Sequence, residues 1–167
     1  MASPEDVLRI LLTGIGATAI MDAWLLVMRR LGIPTLNFAF VGRWVGHAWR
    51  GRFTHASIAQ ARPIRGEVAL GWIAHYATGL VFAALLAGIQ GLAWLRAPTL
   101  MPAVATGVAT VAVPLFLIQP GMGVGVASSR TPTPLKNCLR SVLTHAVFGL
   151  GLYLSAMAAA GIMPPAA

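Results

Sequence analysis

Acid is what this sequence has least of. Of 167 residues only four are Asp or Glu, against twelve Lys and Arg, and charged residues make up 10% of the chain. A soluble domain carries about 25%, so the charged surface that a water-soluble globule of this size needs is missing. Glu5, Asp6, Asp22 and Glu67 leave little room for a carboxylate-rich metal cage or a paired-carboxylate hydrolase. The single cysteine, Cys138, excludes an intramolecular disulfide and any CxxC redox or zinc motif. No G-x-S-x-G, HExxH or P-loop sequence occurs, which argues against an enzyme.

What is abundant is apolar. Hydrophobic residues make up 57% of the sequence and the mean hydropathy is +0.78. A membrane-spanning helix needs about 20 mostly apolar residues at about 1.5 Å of rise each. Four stretches qualify, at 7–28, 70–94, 100–123 and 142–162. They are continuously apolar and rich in Ala and Leu, without the alternation of a membrane barrel. The expected fold is all-α: a polytopic membrane protein of four transmembrane helices in one domain, 1–167. Glu5 and Asp6 stand where a signal peptide would be basic, so the first stretch reads as a retained helix.

The connections 29–69 and 127–141 hold ten of the twelve basic residues: Arg29, Arg30, Arg43, Arg50, Arg52, Arg62, Arg65, Arg130, Lys136 and Arg140. Arg9 and Arg96 fall to the other side. The positive-inside rule then places both connections in the cytoplasm and both termini outside. The net charge of +8 reads as a topology signal and an attraction to anionic lipid headgroups, with no nucleic acid as partner.

Two short patterns recur. His75 to Leu80 and His145 to Leu150 both read H-x-x-x-G-L, and Thr13-Gly14 and Thr106-Gly107 stand early in the first and third stretches. They suggest two pseudo-repeated helical hairpins related by an axis along the membrane normal. Close packing of small residues explains the same glycines without a repeat.

Each apolar stretch carries one strongly polar side chain toward its cytoplasmic end: Asp22, His75, Gln119 and His145. A carboxylate costs roughly 2.5–3.5 kcal/mol in mid-membrane and should face a cavity or a partner. One reading joins the four in a site for a proton, a metal ion or the cationic part of a ligand. The other has Asp22 paired with a loop arginine such as Arg130 or Arg140 while each histidine bonds a nearby carbonyl. His75 and His145 are also the only candidate metal ligands, and haem with two axial histidines is the cofactor they would suit.

The glycine-rich end of the third stretch, Gln119-Pro120-Gly121-Met122-Gly123-Val124-Gly125, with Ser128, Ser129 and Arg130 after it, reads as a broken helix end more than as an anion-binding turn. In the first connection Phe38, Phe40, Trp44, Trp49 and Phe53 alternate with Arg43, Arg50 and Arg52. A short amphipathic helix lying in the headgroup region is expected there, its arginines on lipid phosphate. Arg43, Arg50, Arg52, Arg130 and Arg140 are the candidate anion or lipid contacts, and His55 carries no specific signal.

The segments Thr18-Ala19-Ile20-Met21-Asp22-Ala23-Trp24, Arg43-Trp44-Val45-Gly46-His47, Gly71-Trp72-Ile73-Ala74-His75-Tyr76, Gln119-Pro120-Gly121-Met122-Gly123, Ser129-Arg130-Thr131-Pro132 and His145 through Tyr153 resemble a family of small bacterial four-helix membrane proteins of unknown function. The resemblance covers nearly the whole chain. It implies a bacterial inner-membrane protein and carries over no activity, cofactor or site. Proton-linked transport or ligand binding at the polar groups is the expected function, with a homo-oligomer supplying volume that four helices lack. A haem- or metal-binding redox subunit and a non-catalytic partner of a larger membrane complex are the alternatives.

Overall fold

The computed structural model describes residues 2–163. It is all-helical over those residues, with no strand among them. Four helices are long and apolar enough to cross a membrane: α1, Pro4–Arg30; α3, Glu67–Gln90; α4, Leu100–Met122; and α5, Pro134–Ile162. The shorter α2 is Phe38–Ala48. Only 22–33% of each apolar stretch is buried. Val7, Leu11, Ile15, Ile73, Val81, Ile89, Met101, Phe116, Leu150 and Ile162 are among the large side chains left exposed, far more apolar surface than a soluble monomer presents.

Local chemistry sets the ends. Ser3 caps α1 in a reciprocal box with Asp6, Pro4 opens the helix, and Arg29 and Arg30 close it. Acid at the first turn and base at the last both complement the helix dipole. Asn37 caps α2 through Ala39 N–H at 3.0 Å. Helix α3 stops at Gln90 instead of 94, because Gly91 takes a left-handed φ of 84° and a 3-10 turn, Leu92–Leu95, follows. Within α4, Pro114 has no N–H to donate, and residues Pro114–Ile118 widen into a π turn. Helix α5 begins at Pro134, two turns before 142, and takes up half of the expected 127–141 connection. A proline suits the first helical position, and Asn137 N–H already reaches the Thr133 carbonyl at 3.1 Å.

The chain divides into two compact units: Met1–Ile33, Tyr76–Thr110 and Leu143–Ala167 in unit 1, and Pro34–His75 and Val111–Val142 in unit 2. Unit 1 has a core of Ala17, Met21, Ala83, Leu86, Ala87, Trp94, Leu95, Ala103, Phe148, Leu152 and Ala156. Glycines set its helix spacing. A Cβ on Gly14 would lie 2.9 Å from Leu80 Cα and 3.1 Å from the Gly79 carbonyl, and one on Gly107 would lie 2.4 Å from Gly149 Cα. The glycine of each T-G pair therefore meets the glycine of an H-x-x-x-G-L pattern, α1 on α3 and α4 on α5. The two sequence correspondences are matched in packing.

One end of unit 1 is closed by charge. Arg9 is fully buried; it pairs with Glu5 at 2.8 Å and donates to the Ala159 and Met163 carbonyls. Arg96 pairs with Asp6 at 2.6 Å. Two bases and two acids cancel there, and the carbonyls freed at the end of α5 gain donors.

In unit 2, α2 crosses the start of α3 at glycines. A Cβ on Gly42 would lie 1.8 Å from the Glu67 carbonyl, and one on Gly71 would lie 1.9 Å from that of Phe38. Phe38, Arg43 and His47 are buried by this packing.

Candidate functional site

In unit 1 the Asp22 carboxylate accepts a hydrogen bond from the Tyr76 hydroxyl at 2.9 Å, joining α1 to α3. Nearby in sequence, Trp24 Nε1–H donates to Thr144 Oγ1 at 3.3 Å, joining α1 to α5. His145 Nδ1 lies 3.0 Å from Thr110 Oγ1, and that hydroxyl donates to the Gly107 carbonyl at 2.6 Å.

In unit 2 the His75 ring lies against Phe38 and Trp72, at centroid distances of 4.6 and 5.9 Å. Gln119 Oε1 accepts from Ser128 Oγ at 3.0 Å. That bond folds the side chain onto its own turn, where Gly123, Gly125, Ala127 and Ser128 all take positive φ. Cys138 Sγ–H to the Ala127 carbonyl, 3.1 Å, holds the same turn. The turn is a braced helix end, as its sequence suggests. Of the four expected site residues, Asp22 and His145 belong to unit 1 and His75 and Gln119 to unit 2. Among the described residues no group of three or more His, Cys, Asp and Glu is placed to hold a metal ion.

The strongest polar construction is in unit 2. Arg43 is 7% exposed. Its Nε and Nη2 meet the two Glu67 carboxylate oxygens at 2.9 and 2.8 Å. Its Nη1 reaches the Ile58, Ala59 and Ala61 carbonyls at 3.1–3.2 Å. The bidentate carboxylate holds the guanidinium above its ordinary range. Arg43 as a lipid-phosphate contact is therefore corrected: every nitrogen of its fork is engaged inside the unit. The short helix expected in the first connection is present as α2, and it packs on the start of α3 through Gly42. Arg50, Arg52 and Arg130 are exposed and Arg140 is half-buried. Trp49, at 91%, and Phe53, at 60%, are the exposed aromatics beside Arg50 and Arg52.

Residues 11–159 match the model of a family described as "Protein of unknown function (DUF2938)". The chain belongs to this family. No curated protein and no solved structure matches it. Membership in DUF2938 fixes a lineage and no chemistry, so the reading of the site rests on this chain's own groups. Sequence reasoning missed two of them. Tyr76 follows His75 directly, and its partner is 54 residues away. His47 and His55 are buried together, their ring nitrogens 2.8 Å apart. His47 at i+4 from Arg43 on the buried face of α2 was the available signal.

Proposed function

We propose that this DUF2938 protein is a multi-pass protein of the bacterial inner membrane that binds a proton or a cationic ligand at Asp22, in proton-linked transport or ligand binding. The observation that carries the reading is the Asp22–Tyr76 hydrogen bond. It holds a carboxylate between two apolar helices, in a place where an ionised group is costly and is kept for use. His145, in the same unit, is a further polar group for the path. In the proposed orientation both termini face outward. The placing of ten of the twelve basic residues in the two connections favours it.

The test is pH-gradient collapse in proteoliposomes with tetraphenylphosphonium as the cationic probe. Wild type should dissipate the gradient on probe addition and Asp22→Asn should match empty vesicles. Asparagine keeps an oxygen to accept from Tyr76, so the variant removes charge while preserving the link between α1 and α3. Equal rates for wild type and Asp22→Asn would refute the proposal.

The same reading places Trp49, Arg50, Arg52 and Phe53 at anionic headgroups. With about 1 kcal/mol per basic residue near a charged membrane, an Arg50→Gln, Arg52→Gln double variant should lose about thirtyfold in preference for phosphatidylglycerol over phosphatidylcholine. Quenching of Trp49 by brominated forms of each lipid measures this, with Trp49→Phe as the blank. An unchanged preference would remove the lipid assignment.

A further inference from the structure

The connection 91–99 crosses the end of unit 1 where α1 begins and α5 finishes. Gly91 turns it with a φ of 84°, and the 3-10 turn Leu92–Leu95 carries Trp94 and Leu95 into the unit 1 core, where Leu92 and, from α1, Ile10 pack against them. Trp94 Nε1–H donates to Thr99 Oγ1 at 3.2 Å, so the indole is satisfied within its own connection. The connection is thus a strap that plugs the end of the core with apolar groups of its own.

Two arginines hold this end, and they differ in burial. Arg9 is fully buried and joins α1 to the Ala159 and Met163 carbonyls at the end of α5. Stripping partners from a buried guanidinium is costly, so that contact is fixed. Arg96 is 33% exposed, with Nη2 2.6 Å from Asp6 Oδ1 and 3.8 Å from Glu5 Oε1. An ion pair partly in water gives way to solvent far more readily, so this is the contact that can let go. The two partners then fare differently. Asp6 keeps the Ser3 N–H and Oγ–H, both at 2.9 Å, and stays at the first turn of α1, while Arg96 leaves with the strap. The opening is rimmed by acid, and a cation can take the place that Arg96 held.

A second observation lies behind the strap. Thr13 is one turn deeper than Arg9 on α1 and is fully buried. Its Oγ1 is, among the described residues, the one buried side-chain polar atom with no hydrogen-bond partner. Thr18 and Thr110, also buried, donate to the Gly14 and Gly107 carbonyls. An unpaired buried hydroxyl destabilises a fold, and a valine of the same shape would not carry that cost. The hydroxyl of Thr13 serves a polar solute that reaches it, and nothing in the packing.

We propose that the strap 91–99 is a gate, latched by Arg96 on Asp6, whose release admits a small cation with its water to unit 1, Thr13 being the first buried group that it meets. The proposal rests on the Asp22 reading for the nature of the solute, and it gives that site a way in from the end of α1 remote from Arg29 and Arg30.

The experiment is thiol reactivity of Thr13→Cys, combined with Cys138→Ala, in proteoliposomes. The reagent is trimethylammonium-ethyl methanethiosulfonate, which does not cross the bilayer, added on one face and then on the other. With the latch intact the thiol should react slowly. Arg96→Gln and Asp6→Asn should each speed the reaction about tenfold or more, the factor of one charge-assisted hydrogen bond, and only from the face on which Arg96 lies. The two variants change the local charge in opposite senses, so attraction of the reagent cannot account for a rise in both. Arg96→Lys, which keeps a cation on Asp6, should stay near the slow rate. If one variant does not fold, the other decides. Unchanged rates in Arg96→Gln and Asp6→Asn would overturn the proposal, as would reaction from the opposite face. No transported probe is involved, so this outcome is separate from that of Asp22→Asn.

Discussion

An Arg43→Gln variant is expected to lose about 3–5 kcal/mol of folding stability, the cost of stripping one partner from a buried ion pair. The loss is large because one side chain serves four acceptors. Glu67 loses both of its charge-assisted bonds, and the Ile58, Ala59 and Ala61 carbonyls lose the donor that gathers them. Glu67 also accepts Ile64 N–H at 3.1 Å at the entry to α3, so the disturbance reaches the start of that helix. Arg43→Lys should recover only part of the loss, since an ammonium is a point charge and cannot fill the fork. Denaturant unfolding in micelles, followed through Trp44 and Trp72 of unit 2, measures both. An Arg43→Gln change within about 0.5 kcal/mol of wild type, the range of ordinary surface substitutions, would show that the buried fork does not hold the unit together. Adding Glu67→Gln to Arg43→Gln should cost less than the sum of the two, because the pair is then removed whole.

How far the sequence could be read follows from the range of the interactions. The long helices were legible because length and apolar content are properties of each segment alone, and their ends were legible where a cap is local, as at Ser3 with Asp6. The start of α5 was misplaced because Lys136 and Arg140 read as loop charges, although a helix that opens on proline tolerates both. The T-G and H-x-x-x-G-L pairs were visible, and their meaning lay in which glycine faces which, 65 residues apart for Gly14 and Gly79 and 42 for Gly107 and Gly149. The pattern of α2 fits an apolar face on lipid as well as one on protein. Gly42, which allows the approach to α3, was the residue that distinguished them. Asp22 could be read from the chain as a carboxylate on an apolar helix. Tyr76 as its donor, the Arg43–Glu67 pair and the His47–His55 pair could not, since each depends on segments brought together by folding and none has a spacing rule.

Gly107→Ala and Gly88→Ala make the same chemical change and are expected to act with opposite sign. At Gly107 the new Cβ would lie 2.4 Å from Gly149 Cα, 2.5 Å from its nitrogen and 2.6 Å from the His145 carbonyl. These are backbone atoms, which yield only if α4 and α5 move apart, at a cost of about 1–3 kcal/mol or somewhat more. The separation would also draw His145 away from Thr110, 3.0 Å in the native packing, so its ring signals should move with the stability. At Gly88 nothing lies within 4 Å of the added atom. Only the helix preference for alanine remains there, worth about 0.5–1 kcal/mol in favour of the variant. Gly14→Ala should fall between them, because its Cβ would meet Leu80 Cα at 2.9 Å, a milder overlap with the corresponding helix of the other hairpin. Thermal unfolding of the three variants in one detergent gives the order directly. Equal losses at Gly88 and Gly107 would mean that close approach of the helices is not what the glycines provide, and the packing basis for a repeated hairpin would go with it.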